Sequence, residues 1–405
     1  MSSRPIDPNA AFELLRTEGF EVEIHQQHLL VHNIPYVTPQ KVVRNATLAC
    51  LYIENGEQVI APDSGKGDNH QVWWTGEYPC YPDGTRLDLG TAPQGRELFP
   101  GLTVQHQFSN KPFGASGFPD HYTKVTHYIR LIQNQAKAID RDVDARTGRV
   151  LATQEDESVF CYPDTASARS EILAISAKLA ASRIAIVGLG GTGSYILDQT
   201  AKTPVGEIHL FDGDIFNSHN AFRAPGAASL DEINAKEPKT DYFARKYAPM
   251  RRHVISHPYF IDPENVHELA GLDFVFVCVD KGVARSLIAT FLIDNSIPFV
   301  DVGMNLLLLP EQNSLMGTCR ATLVTPEKSD HVADFIPMDS DEEEDVLYRH
   351  NIQVADMNAV NAMLAVIKWK QHLGFYQDDT RTHNLSFAVN LMSLNRSPRR
   401  PEHSE

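Results

Sequence analysis

Residues 184–194 read IAIVGLGGTGS, an apolar run that stops at four glycines, Gly188, Gly190, Gly191 and Gly193. Such a turn between a buried strand and a helix presents unpaired backbone N–H groups and the positive end of a helix dipole. Glycines let it bend tightly and let a phosphate come close. The GxGxxG spacing in this setting points to a nucleotide, without separating a dinucleotide from ATP. The next apolar run ends in LFDGDIFNSHNAFR. There Asp212 stands where an acid commonly holds ribose hydroxyls, and Asp214, Asn220 and Arg223 follow in the same loop. Lys239 heads EPKTDYFARKY, and Asp280 ends a further apolar run in FVCVDKG. Two cations facing phosphates, with a carboxylate suited to Mg²⁺, fit triphosphate chemistry better than hydride transfer, because magnesium prefers few carboxylates plus phosphate oxygens.

These residues need elements that bring them together. Residues 165–327 alternate between near-continuous apolar strands and amphipathic helices, which predicts an α/β fold with a Rossmann-like, doubly wound, mostly parallel sheet buried on both faces. In such a sheet the strand C-termini share one edge, so Asp212, Arg223, Lys239 and Asp280 converge on the glycine turn. A smaller α+β unit is expected over 1–155, with a helix at 10–18, several strands, and a helix within 121–140. RDVDARTGR reads as its exit linker. The second unit is expected over 160–395, with a helix over 165–182, a mobile acidic loop over 326–349 and an amphipathic helix over 354–375.

The chain has 405 residues and a formal net charge of −16. That balance argues against a nucleic-acid binder, which needs a clustered basic face, and against an anionic membrane surface. No run approaches the ~20 apolar residues of a membrane span, and MSSRPIDPNA lacks a secretory pattern. A cytoplasmic location is the expectation. Five scattered cysteines with no CxxC pair make a disulfide framework or a zinc knuckle unlikely. The trios His70/Glu77/Cys80 and His25/His28/His32 have no recognised metal-ligand spacing.

The whole set resembles the ThiF/MoeB/ubiquitin-activating-enzyme family of adenylyltransferases. Gly188, Gly190, Gly191 and Gly193 match its GxGGxG, and Asp212 and Asp214 its acidic pair. Asn220 and Arg223 fall at its spacing, Lys239 matches its lysine, and Asp280 its metal-side aspartate. His219 and Ala224 depart from the family's Ser and Gln without removing a charge. The resemblance covers about 165–325 and the helix 354–375, and does not extend to 1–155. It implies adenylation by ATP and Mg²⁺ of the C-terminal carboxylate of a ubiquitin-like or sulfur-carrier-like protein, in a homodimer. On that reading the glycine turn seats the nucleotide, Asp212 grips the ribose, Asn220 orients phosphates, Arg223 and Lys239 hold phosphate oxygens, and Asp280 holds the metal. Arg169, in TASARSEIL, is the candidate for an arginine donated across the dimer.

Many relatives then pass the acyl group to a cysteine. Here the crossover loop has none, and Cys278 and Cys319 sit in apparent strands. Either the chain only adenylates, or Cys80, in WTGEYPCYPDG, supplies the thiol. The N-terminal unit is expected to bind a protein partner, with a fold of ubiquitin-conjugating type. Two other readings stay open: an NAD(P)-dependent oxidoreductase, and adenylation of a small molecule or a tRNA base.

Overall fold

The computed structural model describes residues 11–55, 58–62, 70–112, 117–149, 151, 158–162, 164, 172–338 and 352–396. The chain divides into two compact units, Met1–Ala152 with Tyr162–Ile172, and Thr153–Cys161 with Leu173–Glu405.

In the first unit, β1 (Val22–His25), β2 (His28–Val37), β3 (Val43–Leu51), β4 (Gln71–Trp74), β5 (Thr91–Phe99) and β6 (Leu102–Ser109) form one sheet in the order β1-β2-β3-β4-β6-β5. All its pairings are antiparallel. The run FEVEIHQQHLLVHNI is a hairpin, turning at Gln26 and Gln27 with positive φ. Among the described residues, helices α1 (Ala11–Thr17) and α2 (His121–Lys137) accompany it. Val125, Tyr128, Ile129 and Ile132 recur at helical spacing, so one stripe of α2 packs on Leu29, Val31, Leu48, Val72 and Trp74.

The second unit is built on an eight-stranded sheet. Its strands are β7 (Arg183–Val187), β8 (Glu207–Phe211), β9 (Val254–His257), β10 (Phe274–Val277), β11 (Phe299–Leu309), β12 (Ser314–Val324), β13 (Asn384–Ala388) and β14 (Ser393–Arg396). The order is β9-β8-β7-β10-β11-β12-β13-β14. From β9 to β11 neighbours are parallel; from β11 onward they are antiparallel. Helices α3 (Gly191–Thr200), α4 (Lys239–Tyr247), α5 (Gly282–Asp294) and α6 (Ala355–His372) flank it.

The continuous apolar strands have a direct cause. Ile184 and Ile186 of β7, with Phe274 and Phe276 of β10, enter one core, while Ala185, Val187, Val275 and Val277 enter the core on the opposite face. Successive side chains point to opposite faces, and both faces are dry, so no position favours a polar residue.

The expected helix 354–375 is α6, closed by Gly374 at φ +70°. β11 runs on to Leu309 because it pairs with β12 out to Leu309 and Ser314. Residues 165–171 of the helix expected over 165–182, and the acidic run 340–345, lie outside the described residues; Leu173–Ser176 is α-helical and Ala177–Leu179 a 3-10 turn.

Candidate nucleotide-binding site

The glycine turn joins β7 to α3, and each glycine answers a different constraint. Gly188 has φ +93°, and a Cβ there would stand 2.6 Å from the Cys278 carbonyl oxygen. A Cβ on Gly193 would strike the Gly188 carbonyl, and one on Gly191 the amide of Asn358. These three are glycines because protein packs against them. Gly190 is unlike them: its φ is −73°, and a Cβ would meet nothing within 4 Å. Its missing side chain keeps space open rather than relieving a clash. No side chain caps α3, so its first N–H groups are available to a ligand.

Asp212 follows β8 and braces the turn. Its carboxylate accepts from the Leu189 N–H at 2.7 Å and the Asp214 N–H at 2.8 Å. The Lys239 ammonium, at the start of α4, lies 2.6 Å from Asp214 and 3.4 Å from Asp212. Lys239 and Asp212 are each 6 % exposed in their side chains, whereas Asp214 is 59 % exposed. The Lys239 N–H also donates to the Asp214 carbonyl, tying helix to loop. Asp280, just past β10, is exposed to solvent. Protein crowded about it still pushes its carboxyl up, against the pull of Arg223, Arg285 and Lys239. Burial and the nearby Arg223 and Lys239 hold the His219 imidazole down. Burial is the larger cause of both shifts, and both groups lie near Arg223 and Lys239 at this edge of the sheet.

One cavity of about 640 Å³ is walled by Gly188, Gly190, Gly191, Gly193, Asp212, Asp214, Arg223, Lys239 and Asp280. Residues spread over almost a hundred positions therefore meet at the strand C-termini. Asn220 does not join that wall. Its Oδ1 accepts from the Asn217 N–H at 2.9 Å, so it caps a short helix at Ser218–Ala221 beneath the loop. Its Nδ2 is buried with no hydrogen-bond partner. Arg169 lies outside the described residues.

Cys80 meets neither requirement of a reactive thiol, exposure and a lowered pKa. It is buried among Val37 and Ala136, its Sγ donates to the Tyr78 carbonyl, and burial pushes it up. The carrier role expected for it is corrected to a packed thiol. Cys319 is likewise buried and raised to about 11. Cys278 lines the cavity, but burial raises it well above the ordinary thiol. Among the described residues no group of three or more His, Cys, Asp and Glu is arranged to hold a metal.

Several cavity residues escaped the sequence reading. Asp301 of β11 is fully buried between two guanidiniums, Arg285 of α5 at 3.1 Å and Arg320 of β12. The two arginines line the wall, with Asp301 behind them. Asn358 and Asn361, one helical turn apart on α6, press onto the glycine turn: Thr192 Oγ1 donates to Asn358 Oδ1 at 3.0 Å. Phe260 and Ile261, following β9, supply an apolar wall at the other end.

Comparison with known families matches residues 169–405 to the ThiF family. Residues 10–165 match a family described as a domain of unknown function, DUF6791. The chain is 25 % identical over 184 residues to ubiquitin-like modifier-activating enzyme 5 of Gallus gallus, covering 40 % of this chain and 46 % of that protein. Against the same-named protein of Branchiostoma floridae the figures are 27 % over 135 residues, 30 % and 33 %. The chain thus spans less than half the length of these curated relatives. The crystal structure of E. coli MccB with ATP aligns at a TM-score of 0.45 and 18 % identity, over 56 % of this chain and 67 % of that one. That of PaaA aligns at 0.44 and 17 %, over 56 % and 75 %. No helix among the described residues is long and apolar enough to cross a membrane.

Proposed function

The chain belongs to the ThiF family, and from that premise we propose that it adenylates the C-terminal carboxylate of a ubiquitin-like or sulfur-carrier-like protein with ATP. The observation that carries this reading is the single cavity in which the glycine turn, Arg223, Lys239 and Asp280 meet. The similarity to ubiquitin-like modifier-activating enzyme 5 points the same way.

Strand order lays the reaction out along one edge. Asp212 follows β8 and lies on the ribose side, with Phe260 and Ile261 beyond it for the base. The β7 turn receives the phosphates on the N–H groups of α3. Arg223 and Lys239 neutralise them. A carboxylate oxygen of the tail then attacks the α-phosphorus, the bond from that phosphorus to the bridging oxygen breaks, and the electron pair leaves with pyrophosphate. A carboxylate is nucleophilic enough once charge repulsion is removed, so the residues act by placement and fixed charge. Asp280, a carboxylate exposed among cations, suits a Mg²⁺ that takes its other ligands from phosphate oxygens. That ion would add further charge neutralisation on the phosphates. A triphosphate carries more charge for Arg223 and Lys239 to neutralise around the turn than the pyrophosphate of a dinucleotide does.

The raised thiols of Cys80, Cys278 and Cys319 favour adenylation without a thioester on any of these three. The N-terminal unit serves as a partner-binding module, the assembly is a homodimer, and the free cysteines suit a cytoplasmic setting. Exchange of labelled pyrophosphate into ATP, stimulated by candidate ubiquitin-like proteins and lost in Asp280→Ala and Arg223→Ala, is the expected result. Undiminished exchange in Asp280→Ala would overturn the assignment of this site.

A further inference from the structure

Asn361 is 1 % exposed and lines the cavity. Its amide nitrogen donates to the Gly303 carbonyl at 3.3 Å and lies 3.5 Å from Thr192 Oγ1. A backbone carbonyl only accepts, so the Gly303 contact fixes which end of the amide is nitrogen. The other end, Oδ1, is buried with no hydrogen-bond partner. Buried carbonyl acceptors are nearly always satisfied, so an orphan one on a cavity wall marks where a ligand's donor belongs.

The strand order says which part of a ligand that is. Gly303 pairs with Arg320 across β11 and β12, and Arg320 pairs in turn with Ser386 of β13. This end of the cavity lies across β7 and β10 from Asp212, Phe260 and Ile261, too far along the edge to serve a base held there. A Cβ on Gly303 would come within 3.0 Å of the Arg320 guanidinium. Arg320 is itself held by Asp301 and Thr322, which use only part of its five donors. Gly303 is thus flanked by an unsatisfied acceptor on one side and an anchored guanidinium on the other. The matching chemistry is a carboxylate with an N–H donor close beside it, which is the last residue of a peptide.

We propose that the Asn361 side-chain carbonyl accepts the N–H of the substrate tail's last peptide bond while Arg320 faces its carboxylate. The site then selects peptidyl carboxylates and rejects acids with no N–H beside the carboxyl group. This rests on the adenylation reading and makes Asn361 a positioning residue.

Two stable mimics of the acyl-adenylate test it by calorimetric titration of the full chain. One is N-acetylglycyl sulfamoyl adenosine; the other replaces the glycyl N–H by an ester oxygen. Wild-type protein should bind the amide about tenfold more tightly, the worth of one such hydrogen bond. In Asn361→Ala the amide should weaken by about that factor and the preference should vanish. Equal affinity of the two mimics in wild-type protein overturns the proposal even if the variant fails to fold, and so does an undiminished preference in Asn361→Ala. If neither mimic binds, the adenylation reading falls and this inference with it; if both bind alike, adenylation stands and only Asn361's role is lost.

Discussion

Replacing Lys239 by Met separates what the lysine does for the fold from what it does for a ligand. At 3.4 Å, and with an effective dielectric near 20, its attraction to Asp212 is about 5 kcal/mol before desolvation. Burying the ammonium cancels much of that. Breaking a buried pair from one side costs roughly 3–5 kcal/mol when the remaining charge is stranded. Here it is not stranded. Asp212 keeps the N–H groups of Leu189 and Asp214, and Asp214 is 59 % exposed and rehydrates. The stability loss should therefore fall near 2 kcal/mol, about 4–8 °C in the melting of a domain this size. The functional loss should be larger in proportion. Removing one fixed charge from a developing transition state costs on the order of a hundredfold or more, and here three carboxylates would face the phosphates with one cation fewer. Thermal denaturation and pyrophosphate exchange on the same preparation decide it. A destabilised variant with full exchange would make Lys239 a structural brace, and one that loses neither would refute the electrostatic argument.

Asp280→Asn should lose metal-dependent exchange at least a hundredfold. Because the folded-state carboxyl is raised, the native protein binds protons more readily than the unfolded chain, and Asp280's ionisation costs stability as pH rises through its folded pKa. The variant should thus melt slightly higher than wild type at neutral pH, with the difference vanishing as pH falls through the ordinary carboxylate range; a lower melting temperature at neutral pH would contradict this. Gly190→Ala should keep the wild-type melting temperature and bind ATP at least tenfold more weakly, whereas Gly193→Ala should be destabilised by about 1–3 kcal/mol through the Gly188 carbonyl; equal melting of the two would remove the distinction between space-keeping and packing glycines. Cys80→Ala should leave acyl transfer intact, as read by mass spectrometry of the product, and a trapped thioester lost only in that variant would restore the thiol's role.

That the residues around the glycine turn share one cavity was legible because they lie at strand ends, where a parallel sheet makes sequence order and spatial order agree. Gly188, Asp212 and Asp280 each close an apolar run that can be seen without a structure. The other half was hidden. Asp301, Arg320 and Asn361 meet through the antiparallel register of β11 with β12 and the docking of α6, and no local spacing encodes either. Arg320 stands in a run that reads only as a strand. Asn220 has a second role the sequence does not show: an Asn placed three residues into a short helix also suits a cap, and its oxygen makes one. Cys80 looked exposed because turn residues surround it, yet the Tyr78 carbonyl and the Ala136 end of α2 enclose it.

The helix that carries Asn358 and Asn361 spans Ala355–His372 and lies against a turn made more than 160 positions earlier. During synthesis the turn leaves the ribosome long before that helix, so the pocket exists without its lid of asparagines and the slot later filled by Trp369 stays wet. Ligand cannot help the nascent chain fold through these contacts. The site is finished only when this helix arrives, and a chain cut short of it carries every glycine and lysine of the motif yet no finished binding site.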